Sequence, residues 1–133
     1  MTTNDDTLTI QQVAETIGLS VHTLRYYERI GLIHPINRAA NTHRRYTQDD
    51  VGWLAFLNKL RATGMSIRQM QAYAQLQRQG DGTLPERIEM LKTHQREVEA
   101  HMDVLREFLK LIGHKIDYYE GLLAEVEMTL EGS

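Results

Sequence analysis

The last third of the sequence leaves few folds open. From residue 88 onward one series runs at alternating intervals of three and four: Ile88, Leu91, Gln95, Val98, Met102, Leu105, Leu109, Ile112, Ile116, Tyr119, Leu123, Val126 and Leu130. Twelve of these thirteen positions are apolar, which makes a helical seam about six heptads long. A strand would need a period of two, so the segment is predicted to be helix. Such a helix can lie on its own core or on a partner helix. The first 82 residues offer little surface to cover it, so a homodimer is expected, with Leu91, Val98, Met102, Leu105, Leu109, Ile112 and Ile116 as contacts. Gly113 interrupts the pattern and marks a candidate break near Ile112-Gly113-His114, with a shorter helix from Lys115 to Leu130. The 28 residues from Pro85 to Ile112 would span roughly 42 Å.

Charge divides the chain at about the same place. Residues 1–82 carry nine Lys/Arg against seven Asp/Glu, and residues 83–133 carry six against eleven. A net charge of −3 therefore conceals a basic first part and an acidic second part. The two are expected to meet different partners. An acidic whole is compatible with nucleic acid binding, because phosphates feel a local basic patch. The 133 residues contain no cysteine, which excludes a disulfide framework, a thiolate metal site, an iron–sulfur cluster and a cysteine nucleophile. No apolar run approaches the roughly 18 residues of a membrane span. Residues 1–7 are polar and acidic, unlike a secretory signal. A cytoplasmic location without membrane contact is expected.

The first half is finely punctuated. Thr9-Ile-Gln-Gln12 has the pattern of a capping box, flanked by Leu8 and Val13 as a hydrophobic staple. Ile10, Val13, Ala14 and Ile17 form one apolar stripe, and Gly18 can end the helix. Ser20 can cap a second helix through Val21, Leu24 and Tyr27 to about Arg29. Two short helices joined by Gly18-Leu19-Ser20 read as a helix-turn-helix or as an ordinary helical hairpin. Leu32 to Tyr46 breaks the pattern with Pro35 and a turn-rich stretch from Asn37 to Asn41, and a short β-hairpin is its simplest reading. Thr47-Gln-Asp-Asp50 opens a third helix whose stripe is Val51, Leu54, Leu57 and Leu60, with Trp53 and Phe56 beside it. Gly64 ends it. Ser66-Ile-Arg-Gln69 opens a fourth, stapled by Met65 and Met70, which runs to about Gln77. Gln79 to Gly82 is a loop, and Pro85 fits the first turn of the long helix. The domains expected are a polar tail (1–7), a head (8–76), a loop (77–83) and a coiled-coil region (84–133).

Thr9-Ile-Gln-Gln-Val-Ala, Leu24-Arg-Tyr-Tyr-Glu-Arg-Ile-Gly-Leu32, Arg44-Arg-Tyr46 before a capped helix, and Leu60-Arg-Ala-Thr-Gly-Met-Ser66 together resemble the MerR family of bacterial transcription regulators. The resemblance covers nearly the whole chain. Lys115-Ile-Asp-Tyr-Tyr-Glu120 is similar to the aldehyde- and thiol-stress-responsive subgroup. The resemblance implies a mainly α fold: a winged helix-turn-helix head with a short β-hairpin wing, then a long dimerising coiled-coil helix. It also implies a homodimer on a pseudo-palindromic site in double-stranded DNA. There the dimer would bend and untwist an overlong promoter spacer for RNA polymerase.

A helix entering the major groove needs polar residues near its start. His22, Thr23 and Arg25 are placed there, and Arg25 can fork onto guanine or onto two phosphate oxygens. Tyr26 and Tyr27 offer hydroxyls to phosphates, with one ring expected in the core. Arg44, Arg45 and Tyr46 on the hairpin would grip flanking backbone, assisted by Arg38 and Asn41. The wing turn departs from the family's usual Asn-Gly: here it is Asn41-Thr42, and threonine disfavours positive φ. The family's sensor thiols are also missing. In the stress-responsive subgroup a cysteine often falls in the stretch matching Asn58-Lys59-Leu60, so direct thiol or metal–thiolate sensing is excluded here.

Histidine is a poor substitute for the thiols. His94 and His101 lie two turns apart, roughly 10 Å along a helix, whereas one zinc ion needs ligands at about 2 Å. No metal and no cofactor is expected. His114 beside Asp117 reads as a surface pair. Tyr118, Tyr119 and Glu120 line a small-molecule pocket at the dimer interface or simply pack in and beside the seam. No nucleophile–base signature or phosphate loop points to an enzyme.

The reading is a sequence-specific DNA-binding transcription regulator, with an unidentified small-molecule effector left open. The alternatives are a coiled-coil interaction module whose head does not read DNA, and a repressor or architectural DNA binder without an effector. The arginines at 25, 38, 44 and 45 discriminate. On one face they favour DNA; paired with Glu28, Asp49 or Asp50 they favour the adaptor.

Overall fold

The computed structural model describes residues 7–34 and 45–132, and it is mainly helical. In chain order the elements are α1 (Ile10–Ile17), α2 (Val21–Arg29), α3 (Gln48–Ala62), α4 (Ile67–Arg78), a 3₁₀ turn (Asp81–Thr83) and α5 (Leu84–Glu131). Packing divides the chain into two units, Met1–Lys92 and Thr93–Ser133.

Each short helix starts where its side chains can satisfy the orphan N–H groups of a first turn. The Gln12 amide donates to Thr9 Oγ1 at 3.2 Å and the Thr9 amide donates back to Gln12 Oε1 at 2.8 Å. Thr47 and Asp50 repeat the reciprocal pair at 3.1 and 2.9 Å, and Ser66 and Gln69 at 3.1 and 3.0 Å. Gly18 ends α1 at φ 86°, a left-handed conformation that costs an L-residue strain. Its N–H donates to the Ala14 carbonyl, which closes the helix as the sequence predicts.

The four short helices bury one core. Val13, Leu24, Leu32, Ile33, Tyr46, Leu54, Leu57 and Met70 are its most enclosed side chains. The predicted stripes of α1 and α3 supply Val13, Leu54 and Leu57. Met65 and Met70 are both buried, as a staple across the start of α4 requires.

The β-hairpin expected between Leu32 and Tyr46 falls mostly on residues 35–44, outside the described residues. Among the described residues the β pairing is one isolated antiparallel bridge between Leu8 and Tyr46, closed by two N–H···O bonds of 2.8 Å. It ties the residue leading into α1 to the residue leading into α3.

Three expectations about the loop and the long helix change. The loop from Gln79 to Gly82 tightens into the 3₁₀ turn, where Arg87 donates from Nε to Thr83 Oγ1 (3.1 Å) and from its terminal nitrogens to Gln77 Oε1 (2.7 Å) and the Gly80 carbonyl (2.9 Å). Leu91, expected in the dimer seam, instead packs partly buried against the head core. These two contacts are why the first compact unit extends to Lys92. The candidate break at Gly113 is absent, since α5 is one helix through that position. A single glycine costs only about 1 kcal/mol in a helix interior, and the residues on both sides are good helix formers in an unbroken heptad.

Leu54 is fully enclosed at the centre of α3. Leu54→Ala is expected to lower unfolding free energy by about 2–5 kcal/mol, measured by urea denaturation at fixed protein concentration. A loss below 1 kcal/mol would mean that α3 is not the core's central element.

Candidate nucleic-acid interface

The turn between α1 and α2 is three residues long, Gly18-Leu19-Ser20. The Gly18 and Leu19 amides both donate to the Ala14 carbonyl, at 2.8 and 3.1 Å. Ser20 then caps α2, its Oγ accepting from the Thr23 amide at 3.0 Å and donating to Thr23 Oγ1 at 2.9 Å. The second helix is thereby fixed at its N-terminus to the end of the first.

Burial sorts the residues of α2 by helical phase. Leu24 and Tyr27, three apart, point into the core. His22, Arg25, Tyr26 and Arg29 are exposed, at i, i+3, i+4 and i+7. Those spacings put all four on one face. Arg29 lies over the Tyr26 ring, its guanidinium carbon 5.4 Å from the ring centroid, close enough for cation–π attraction. Arg29 was not among the candidates read from the sequence. Its signal was the seven-residue interval from His22, concealed because Arg29 also stands in the last turn, where a basic residue is ordinary.

Two tyrosine candidates move to the core. Tyr27 is 4% exposed and Tyr46 is 1% exposed. The helical period explains the first: Tyr27 shares the inward face with Leu24, while Tyr26, 37% exposed, faces out. Side-chain alternation explains the second. Tyr46 sits in the Leu8 bridge and points inward, and its neighbour Arg45 is half-exposed. Thr23 is half-buried and engaged in the cap, so it serves α2 first. Arg38, Asn41 and Arg44 lie outside the described residues.

The root of the segment that carries those residues is held at both ends. His34 Nε2 is 2.7 Å from Asp50 Oδ1, while Asp50 Oδ2 accepts from the Thr47 amide. Asp50 is buried, and His34 is exposed. The indole N–H of Trp53 donates to the Leu32 carbonyl at 2.8 Å. Gln71 Nε2 donates to the Ile30 carbonyl at 2.9 Å, and Arg78 donates to the Gly31 carbonyl. Side chains of α3 and α4 thus clamp the backbone that leaves α2. Trp53 stacks on Tyr73 with ring centroids 5.8 Å apart, and Phe56 tilts against the same ring. Burial pushes the Tyr73 phenol above its ordinary pKa, against the opposing pull of Arg87.

Among the described residues no group of three or more His, Asp or Glu side chains is arranged to hold a metal ion. Among them, too, no helix is long and apolar enough to cross a membrane. In the second unit α5 is exposed along its length. Met102, Leu105, Leu109, Ile112 and Ile116 of the expected seam are all solvent-facing in the single chain, and Val98 is half-buried.

Comparison with known proteins agrees with this arrangement. The family model described as MerR HTH family regulatory protein matches residues 8–77, and one described as MerR, DNA binding matches residues 51–114. An uncharacterized HTH-type transcriptional regulator of Haemophilus influenzae is 33% identical over 114 residues, covering 86% of this chain and 84% of its own. Two solved structures share the fold closely. A MerR family transcriptional regulator from Listeria monocytogenes is 38% identical with a TM-score of 0.85, covering 93% of this chain and 94% of its own. HiNmlR, a MerR family regulator lacking the sensor domain and bound to promoter DNA, is 33% identical with a TM-score of 0.82, covering 89% and 94%. These relatives are regulators rather than enzymes.

The turn geometry is directly testable. A Cβ at Gly18 would meet nothing within 4 Å, so its conformation alone sets the cost of substitution. Gly18→Ala is expected to destabilise the protein by about 1–2 kcal/mol, read from urea unfolding. Unchanged stability would show that the α1–α2 turn relaxes to a negative φ at no cost.

Proposed function

As a member of the MerR family, to which this chain belongs, the protein is a DNA-binding transcription regulator, and we propose that it acts as a homodimer on a pseudo-palindromic promoter site. The observation that carries this reading is the exposed face of α2. His22, Arg25, Tyr26 and Arg29 stand on the second helix of a helix-turn-helix, and the groove-entering helix of that motif meets base edges with its N-terminal residues. His22 and Arg25 lie nearest that end and contact bases. Tyr26 and Arg29, one turn further on, contact phosphates. Arg45, with Arg38, Asn41 and Arg44 of a β-hairpin wing, grips the flanking backbone, where contacts set position and affinity more than sequence choice.

The tail supplies the symmetry. The division of labour is a DNA-reading head (about 8–76) and a dimerising coiled coil (about 84–133), with α5 pairing antiparallel through Val98, Met102, Leu105, Leu109, Ile112 and Ile116. Two heads at fixed separation read two half-sites. HiNmlR is described as bound to promoter DNA, and the same substrate is assigned to this chain. The dimer bends and untwists the spacer between promoter hexamers, and RNA polymerase in the cytoplasm meets the reshaped DNA. Specificity then includes the sequence-dependent cost of deforming base pairs the protein never touches.

Two variants test the parts separately. Arg25→Ala is expected to weaken binding to DNA from upstream of the protein's own gene by about 1–3 kcal/mol and to leave scrambled DNA nearly unaffected, in fluorescence-anisotropy titrations across a salt series. Equal loss on both duplexes would make Arg25 a phosphate contact. Leu105→Lys places a charge in the seam and is expected to convert dimers to monomers in sedimentation, with loss of specific binding. An undisturbed dimer would place the interface elsewhere.

A further inference from the structure

A cavity of about 220 Å³ opens in the head beside Leu32 and His34. It lies between the first turns of α3 and the last turns of α4. Leu32, Trp53 and Ala74 line it with apolar surface; His34, Asp49, Asp50, Gln77 and Arg78 bring polar groups to it. Its volume is below the roughly 300–1,000 Å³ typical of drug-sized pockets, so a fitting occupant is small.

The polar groups are not equivalent. Asp50 spends its carboxylate on His34 and on the Thr47 amide. Asp49, adjacent and exposed, makes no hydrogen bond or ion pair among the described residues. Arg78 donates to the Gly31 carbonyl. A guanidinium has five N–H donors in a fixed fork, which leaves most of them unspent. Asp49 and Arg78 do not pair with each other. The cavity therefore presents an unspent anion, an unspent forked cation and an apolar wall that includes an indole.

We propose that this cavity binds a small apolar zwitterion of amino-acid size, its ammonium on Asp49, its carboxylate on the Arg78 fork and its side chain against Trp53 and Ala74. Each end meets the opposite charge, and bidentate Arg–carboxylate pairing gives the orientation. A molecule with only one of the two charges leaves the other rim group unsatisfied. The site also has a route to regulation, a consequence that rests on the DNA-binding reading. Leu32 and His34 line the cavity and lead directly into residues 35–44. An occupant that prefers one placement of Leu32 and His34 shifts DNA affinity, and DNA shifts the occupant's affinity by the same factor.

Trp53 is the chain's single tryptophan, so intrinsic fluorescence reports on this cavity. The full chain is titrated with L-valine, L-leucine and L-methionine to millimolar concentration. Parallel titrations use 3-methylbutylamine, which lacks leucine's carboxylate, and 4-methylpentanoate, which lacks its amine. At least one of the amino acids is expected to give a saturable change, with both single-charge analogues weaker by about tenfold or more. Asp49→Asn, at an exposed position without partners, keeps the fold and is expected to weaken that binding by a similar factor. No saturable response to any of the three, or an equal response in Asp49→Asn, overturns the site. Anisotropy with promoter DNA is run on the same samples. Fluorescence saturation without DNA binding would leave the cavity assignment standing and sink the regulatory consequence; DNA binding without saturation would sink both and leave the DNA-binding reading standing.

Discussion

The buried carboxylate of Asp50 joins the start of α3 to the chain that leaves α2. One oxygen accepts from the Thr47 amide and so starts α3; the other meets His34, at the point where the chain leaves α2. The Leu8–Tyr46 bridge fixes the other end of the intervening segment. Trp53, Gln71 and Arg78 reinforce the first anchor by taking the carbonyls of Leu32, Ile30 and Gly31.

Much of this was legible in the sequence, for reasons that can be assigned. Thr9, Ser20, Thr47 and Ser66 were readable as caps because each stands immediately before an apolar-periodic segment, and capping is a local interaction between residues three apart. The inward stripe of α3 followed from the 3.6-residue period alone. The candidate interface was half legible. His22, Arg25 and Tyr26 emerged on an exposed face as the motif suggests. Tyr27 and Tyr46 did not, because tyrosine carries both a hydroxyl and a large apolar ring, and residue type alone does not say which one decides its placement. Periodicity could have assigned Tyr27 by its distance from Leu24. Tyr46 depended on a bridge to Leu8, a contact between residues 38 apart that no local pattern encodes.

Leu91 and Gly113 show the same limit in the tail. Leu91 has the heptad phase of a dimer contact, yet it packs on the head core, because the seam begins while the helix still lies beside its own domain. The period says which face is apolar and is silent on what covers it. Gly113 was given weight as a punctuator because glycine ends helices elsewhere in this chain, at Gly18 for instance. There the glycine adopts positive φ and is followed by a capping serine. At Gly113 no stop signal accompanies it, and the helical neighbours on both sides prevail.

The second unit also constrains how stability and DNA reading are linked. Residues 93–132 bury almost nothing by themselves: Leu105, Phe108, Leu109, Leu111, Ile112 and Ile116 are each about half exposed or more. An isolated helix in water is held by propensity and a few side-chain pairs, such as Asp103–Arg106 and Glu107–Lys110 at 3.0 Å, and such surface pairs contribute little. In the proposed dimer the seam would gain most of its stabilisation from association. Folding of the tail and pairing of the heads become one equilibrium, dependent on protein concentration. In the proposed dimer two reading helices stand at fixed spacing only when the tails are paired, so specific recognition and tail folding would be lost together on dilution, while the head, with its own closed core, would stay folded.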